Sequence, residues 1–177
     1  MTSPLRLRQF FNSLLLCLLA AAFCGCAGYR LGPTNGAAAG AHSVQFRPFI
    51  NLTQEPRLIE AVGSSLRRHL QRDGTYKLET QDDGDIVVTG SILRYSRDPL
   101  AFQPRDILTV RDYRLTVVAK VTATERSGGR VLFEREITGR STMRIGADQT
   151  SVERQTLPVL ADDLARNIVA QLCEGSW

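Results

Sequence analysis

The feature that most constrains this chain is the alternation across residues 107–124. Tyr113, Leu115, Val117, Ala119 and Val121 fall on one side of an extended backbone, while Arg114, Thr116, Lys120, Thr122 and Thr124 fall on the other. Successive side chains of a strand point to opposite faces, so this segment predicts a long strand with one apolar face and one wet face. A long half-apolar strand is not stable by itself. The rest of the chain must supply partner strands and a layer to cover the apolar side.

Both are present. Asp85–Tyr95 places Ile86, Val88 and Ile92 on one face against Thr89 and Ser91 on the other, with Gly90 marking a close approach or a bulge. Ser127-Gly128-Gly129 predicts a hairpin turn, and Val131–Met143 returns with Val131, Phe133 and Ile137 inward, interrupted by Arg135. Ser43–Ile50 predicts a first strand that Pro48 terminates or confines to an edge, and Tyr76–Thr80 a short one. Gln81–Asp85 reads as a turn, since it lacks the alternate spacing and distal glutamate of a calcium loop. Ser96–Arg105, with Asp98-Pro99 and Gln103-Pro104, reads as a loop.

Two helical patterns provide the cover. Leu58, Ile59, Val62, Leu66 and Leu70 recur at helical spacing, with Thr53 as candidate cap, Pro56 in the first turn and Gly74 as the residue past the end. Leu157, Leu160, Leu164, Ile168 and Leu172 form a second stripe, with Ala161 and Ala165 allowing close packing on a sheet. Thr150-Ser151-Val152-Glu153 matches a capping box for this second helix. Pro158 conflicts with it, and either kinks the helix or delays its start to Thr156. The order predicts an α+β two-layer sandwich. Its mixed or antiparallel sheet has four to five strands, with two helices packed on one face.

The N-terminus carries an address. Arg6 and Arg8 precede an almost wholly apolar run from Phe10 to Phe23, too short for a comfortable membrane span, and small residues follow. Gly25-Cys26 sets a small residue before a thiol, as a lipoprotein signal peptidase requires; Cys24 follows bulky Phe23 and fits less well. The reading is a signal peptide over residues 1–25, a diacylated Cys26, a glycine- and alanine-rich tether over residues 26–42, and one domain over residues 43–177. Ala27 stands where an aspartate would favour inner-membrane retention, which points to the periplasmic side of the outer membrane.

The totals exclude several classes. Both signal arginines leave with residues 1–25, so the mature chain holds 20 basic and 18 acidic residues, with no nucleic-acid footprint. Only Cys173 then remains beside the acylated cysteine, so no internal disulfide forms, and its place in the apolar helix reads as a buried structural thiol. His42 and His69 have no metal-ligand spacing. Neither a nucleophile elbow nor a glycine-rich phosphate loop occurs, and Asp82-Asp83 and Asp162-Asp163 lie on exposed elements. The expectation is no enzyme, no cofactor and no metal.

Several segments resemble one family. Cys26 with Gly28-Tyr29-Arg30-Leu31-Gly32, the Phe49–Pro56 passage, Asp73-Gly74 and Gly90-Ser91-Ile92 are similar to the lipopolysaccharide-assembly lipoprotein family LptE. So are Tyr95 with Arg97, Tyr113-Arg114-Leu115, Glu153-Arg154-Gln155, and Asp163-Leu164-Ala165 leading to Ile168-Val169. The resemblance implies a small α+β plug inside the lumen of an LptD-type outer-membrane β-barrel. It would help that barrel assemble and pass lipopolysaccharide to the outer leaflet. It also implies direct lipopolysaccharide binding through basic residues near a strand end and loop. Guanidinium groups fork onto phosphate oxygens, so the candidates are Arg94 and Arg97 beside the Ser96–Arg105 loop, and Arg126 and Arg130 flanking the hairpin turn. The alternative is a periplasmic adaptor lipoprotein of a different secretion or transport system, which periodicity alone does not separate from the first reading.

Overall fold

The computed structural model describes residues 40–103, 106–145 and 149–174. The signal segment, Cys26 and the tether through residue 39 lie outside the described residues. The elements follow in the order β1 (Ser43–Phe46), β2 (Ile50–Asn51), α1 (Leu58–Asp73), β3 (Lys77–Leu78), β4 (Ile86–Gln103), β5 (Asp106–Glu125), β6 (Val131–Arg144) and α2 (Gln149–Glu174). This is the α+β sandwich read from the sequence, with six strands in one mixed sheet where four to five were expected.

The additional strand arises at Pro48. Arg47 N–H donates to Val88 O (3.0 Å), but Pro48 has no N–H to continue the ladder. Pairing with β4 resumes one residue out of step, with Phe46 opposite Val88 and Ile50 opposite Ser91. The extra residue turns Phe49 into the core, onto Gly90. A Cβ on Gly90 would lie 2.6 Å from the Phe49 ring, so the glycine is the close approach that its place in a strand predicts.

The sheet order is β3-β1-β4-β5-β6, with β2 also on β4. β1 runs parallel to both neighbours, and β4, β5 and β6 form an antiparallel meander. The loop expected over Ser96–Arg105 is instead strand as far as Gln103, with Ser96 opposite Thr116 and Pro99 opposite Tyr113. β4 is an edge strand there, where proline is tolerated, and register shifts between Pro99 and Gln103 absorb the irregularity. The partner strand overrides the local turn signals.

The core lies between the sheet and the helices. Leu58, Val62, Leu66 and Leu70 of α1 meet Leu157, Leu160, Leu164, Ile168 and Leu172 of α2 over Val88, Ile92, Leu115, Val117, Ala119 and Val121, all essentially inaccessible. Ile59 leaves the expected stripe and is 39% exposed, Ser65 taking a buried place instead. Val131 is also exposed rather than inward, because a register shift between Ala123 and Thr124 puts it out of phase with Phe133.

The helix ends depart from the expected caps. Thr53 shapes the preceding turn, donating to Asn51 Oδ1 (2.7 Å) and accepting Glu55 N–H (3.3 Å), and α1 starts after Arg57 with no side-chain cap bond. Gly74 closes α1 as expected, at φ 72° with its N–H on Leu70 O (3.2 Å). α2 begins well before Pro158 and runs through it, so Thr156 is interior and donates to Val152 O (2.8 Å). α2 presses closely on β6 at Gly139, where an added Cβ would lie 2.7 Å from Leu164 N. Arg135 escapes the inward face by reaching along the sheet edge to Gln171 Oε1 (2.9 Å).

Candidate functional site

The sheet face turned away from the helices is wet, and its charges are sorted along its length. Near the β5–β6 turn they are paired: Lys120 Nζ lies 2.6 Å from Glu134, which also accepts the Thr122 hydroxyl (3.3 Å). Lys120 holds the Glu134 carboxyl below its ordinary range. Toward the β4–β5 tip the register collects arginines. Arg114 and Arg140 sit on adjacent strands, Arg114 opposite Thr142 and Arg140 opposite Thr116, which makes them diagonal neighbours. Neither guanidinium enters an ion pair among the described residues. Beside them Asp112 is buried under two cations, accepting from Arg144 Nε (2.9 Å) and Arg111 Nε (2.9 Å), and these keep its carboxyl below the usual range.

Of the four arginines singled out from sequence, each has an internal partner. Arg94 and Arg97 do not share a face. A bulge between Ile92 and Arg94 shifts the phase of β4, leaving Arg94 on the wet face, 3.6 Å from Glu136. Arg97 points to the helix layer. Its Nη1 donates to Glu153 Oε2 (3.0 Å) and its guanidinium stacks 5.8 Å from the centroid of Tyr95. Tyr95 donates its hydroxyl to the other Glu153 oxygen (2.9 Å); burial, then that hydrogen bond, pushes its pKa up. Both Glu153 oxygens are therefore engaged with β4, which replaces the expected capping box by a clamp between α2 and the sheet.

Arg126 is a structural pin. Its Nε donates to Gly84 O (2.7 Å) and an Nη to the buried Gln45 (2.6 Å), tying the β5–β6 turn to the start of β4. Arg130 forms one exposed ion pair with Glu125 (3.2 Å). Glu125 lies opposite Ile86 and Val118 opposite Arg94, so the two arginine groups stand seven residues apart along β5, about 23 Å at about 3.3 Å per residue. No single phosphate bridges them.

Arg114 and Arg140 are the residues sequence reading missed as a pair. They lie in different strands, and only the β5–β6 register brings them together. Elsewhere, Cys173 is half-buried, its thiol donating to Asp73 Oδ1 (3.1 Å); burial and then Asp73 push its pKa up to about 12. Among the described residues there is no cluster of three or more metal-ligating side chains, and no helix is long and apolar enough to cross a membrane.

Comparisons place this architecture among known proteins. A solved protein from Xanthomonas campestris is 12% identical with TM-score 0.57, covering 82% of this chain and 91% of its own. A hypothetical protein from Chlamydia trachomatis is 11% identical with TM-score 0.56, covering 78% and 98%. A minor lipoprotein from Acinetobacter baumannii is 14% identical with TM-score 0.50, covering 75% and 94%. At these identities the likeness is one of fold. A search of curated proteins finds no match. A family model described as LptE, lipopolysaccharide-assembly, matches residues 41–172.

Proposed function

Since the chain belongs to the LptE lipopolysaccharide-assembly family, we propose that it is an outer-membrane lipoprotein, anchored through an acylated Cys26. In this reading it fills an LptD-type β-barrel and assists that barrel's assembly and its delivery of lipopolysaccharide. The work is binding and shape rather than covalent chemistry. The observation that carries the reading is the uncovered sheet face. One side of β4, β5 and β6 is sealed by the helices, and the other presents arginine, lysine, threonine and glutamate side chains. A barrel lumen is polar and water-filled, so a plug within it must offer charged and hydroxyl groups outward and keep its own apolar surface inside.

The basic end of that face is the place for an anionic headgroup. Arg114 and Arg140, with Arg94 one strand away, offer guanidinium forks; among the described residues neither of the first two is held in an ion pair, and Asp98, opposite Arg114 on β4, accepts the Ser96 hydroxyl instead. Arg94 is the only one of the four sequence candidates retained in this group. Arg97 and Arg126 act on the fold, and Arg130 stands at the far end.

Three experiments test the proposal. Cys26→Ser should release the protein from membranes, and mild solubilisation of the parent should recover a stoichiometric large β-barrel; recovery with an inner-membrane transporter instead would overturn the assignment. The Arg114→Glu/Arg140→Glu variant of the purified full chain should bind lipopolysaccharide about tenfold more weakly or worse, the equivalent of one or more lost charge-assisted bonds. Unchanged affinity would remove the headgroup site.

A further inference from the structure

The two outer edges of the sheet are finished differently. Along β6, α2 reaches over and occupies free backbone groups: Asp163 Oδ2 accepts the Arg140 N–H (2.9 Å), and Asn167 Nδ2 donates to the Thr138 carbonyl (2.9 Å). Beside β4, β1 and β2 pair only with Ile86–Val88 and Ser91–Ile92, ending at the bond from Leu52 N–H to Ile92 O (3.0 Å). The chain then turns away. From Leu93 to Gln103 this side of β4 has no strand neighbour among the described residues. Where Leu52–Glu55 diverge from Leu93–Arg97 a cleft of about 550 Å³ opens into the vacant lane.

We infer that this lane receives an extended segment of a partner protein, added to the sheet as a strand in continuation of β2. A row of unpaired N–H and C=O groups is complementary to another extended backbone and to little else. The closed wall of a β-barrel has no free edge, so the occupant is a free segment and not part of such a wall. Side chains along the lane define its chemistry. Arg94 and Arg97, each with one internal carboxylate, line the cleft, and Leu100 (45% exposed) and Phe102 (48% exposed) follow toward the tip. The segment that fits carries acidic side chains at the cleft and apolar ones toward the tip. The inference uses the proposed function only in drawing the partner from the same membrane complex.

Residue-resolved hydrogen exchange of the full-length protein tests it, comparing the complex solubilised from membranes with the protein purified alone. In the complex, amides within Arg94–Asp98, the stretch of this lane in unbroken register with β5, should exchange about tenfold more slowly or less, and at alternate residues only, because the others already bond β5. Thr138–Arg140 should not change. A Leu100→Lys/Phe102→Lys variant, altered at exposed side chains and checked for its fold by circular dichroism, should restore fast exchange in the complex. Unchanged exchange in the parent complex overturns the inference. So does uniform slowing without alternation, which marks lipid coverage, or slowing in the isolated protein that grows with its concentration, which marks a second copy. A barrel recovered without slowed exchange refutes the added strand alone. Alternate slowing without a barrel supports the strand and refutes the proposed barrel partner.

Discussion

Gly139→Ala should be among the most damaging single-methyl additions in the domain. The new Cβ would lie 2.7 Å from both the amide nitrogen and the Cβ of Leu164, and 2.9 Å from its Cα. Ordinary carbon contacts sit at about 3.5–4.0 Å, so α2 must retreat by about 1 Å. No side-chain rotation relieves a collision with a helix backbone. Overpacking of this kind costs about 1–3 kcal/mol. The same retreat stretches the Asp163–Arg140 and Asn167–Thr138 bonds, each worth about 1 kcal/mol net, which brings the loss to about 3–5 kcal/mol. At about 3 °C per kcal/mol for a domain of this size, Tm should fall by about 9–15 °C. Thermal melting followed by far-ultraviolet circular dichroism measures it. Gly128→Ala, with no atom within 4 Å of its added Cβ, is the control and should melt at or slightly above the parent. Combining Gly139→Ala with Leu164→Ala should deepen the loss, because all three colliding atoms persist in alanine. A Gly139→Ala midpoint within about 2 °C of the parent, or rescue by Leu164→Ala, would refute this account of how α2 sits on β6.

Three further outcomes follow from the same geometry. Asp85 is held low by the Ser43 N–H, Asp112 by Arg144 and then Arg111, and Glu134 by Lys120. Carboxyls depressed in the folded state contribute stability that is complete above their unfolded values, about 3.9–4.3, and lost as pH falls through the folded values; the urea midpoint should therefore drop between about pH 5 and about pH 2, and a flat profile would contradict the pairings. Cys173, with its pKa near 12, should resist iodoacetamide at about pH 8 in the native protein and react once guanidinium unfolds it, and equal rates would show the thiol to be free. Arg126→Ala strands the buried Gln45 and the Gly84 carbonyl and should cost about 2–3 kcal/mol in urea unfolding, whereas Arg130→Ala removes one exposed ion pair and should cost under about 0.5 kcal/mol; equal losses would show that Arg126 is not a pin.

Periodicity made the layers of this fold readable because burial acts on it directly. The stripes at Leu58–Leu70 and Leu157–Leu172 and the alternation of Tyr113–Val121 each report which side of an element meets the core. Gly74 and Gly90 were legible for a similar reason, since each answers a local geometric demand. What misled were residues whose local habit is overruled from a distance. Ser96-Arg97-Asp98-Pro99 has the composition of a turn, but β5 offers a full-length partner and draws it into the sheet. Thr53 and Glu153 are good capping residues by spacing, yet Asn51 in one case and Tyr95 with Arg97 in the other compete for the same oxygens. The arginines show the limit most clearly. Neighbours in sequence such as Arg94 and Arg97 part because an odd spacing in a strand puts them on opposite faces, and Arg114 and Arg140 meet only through cross-strand register.

The guarding of β6 by Asp163 and Asn167 also fixes a sequence of events in time. A chain emerging N-terminus first completes the meander through Arg144 before either residue that shields its outer backbone, or any of the α2 leucines that complete the roof begun by α1, has appeared. Until those last turns arrive, the nascent sheet is greasy on one side and sticky along a full-length rim, the state in which edge-to-edge aggregation is fastest. The final thirty or so residues are thus a safety catch, and a copy cut short before them would be a seed for aggregation rather than a smaller working domain.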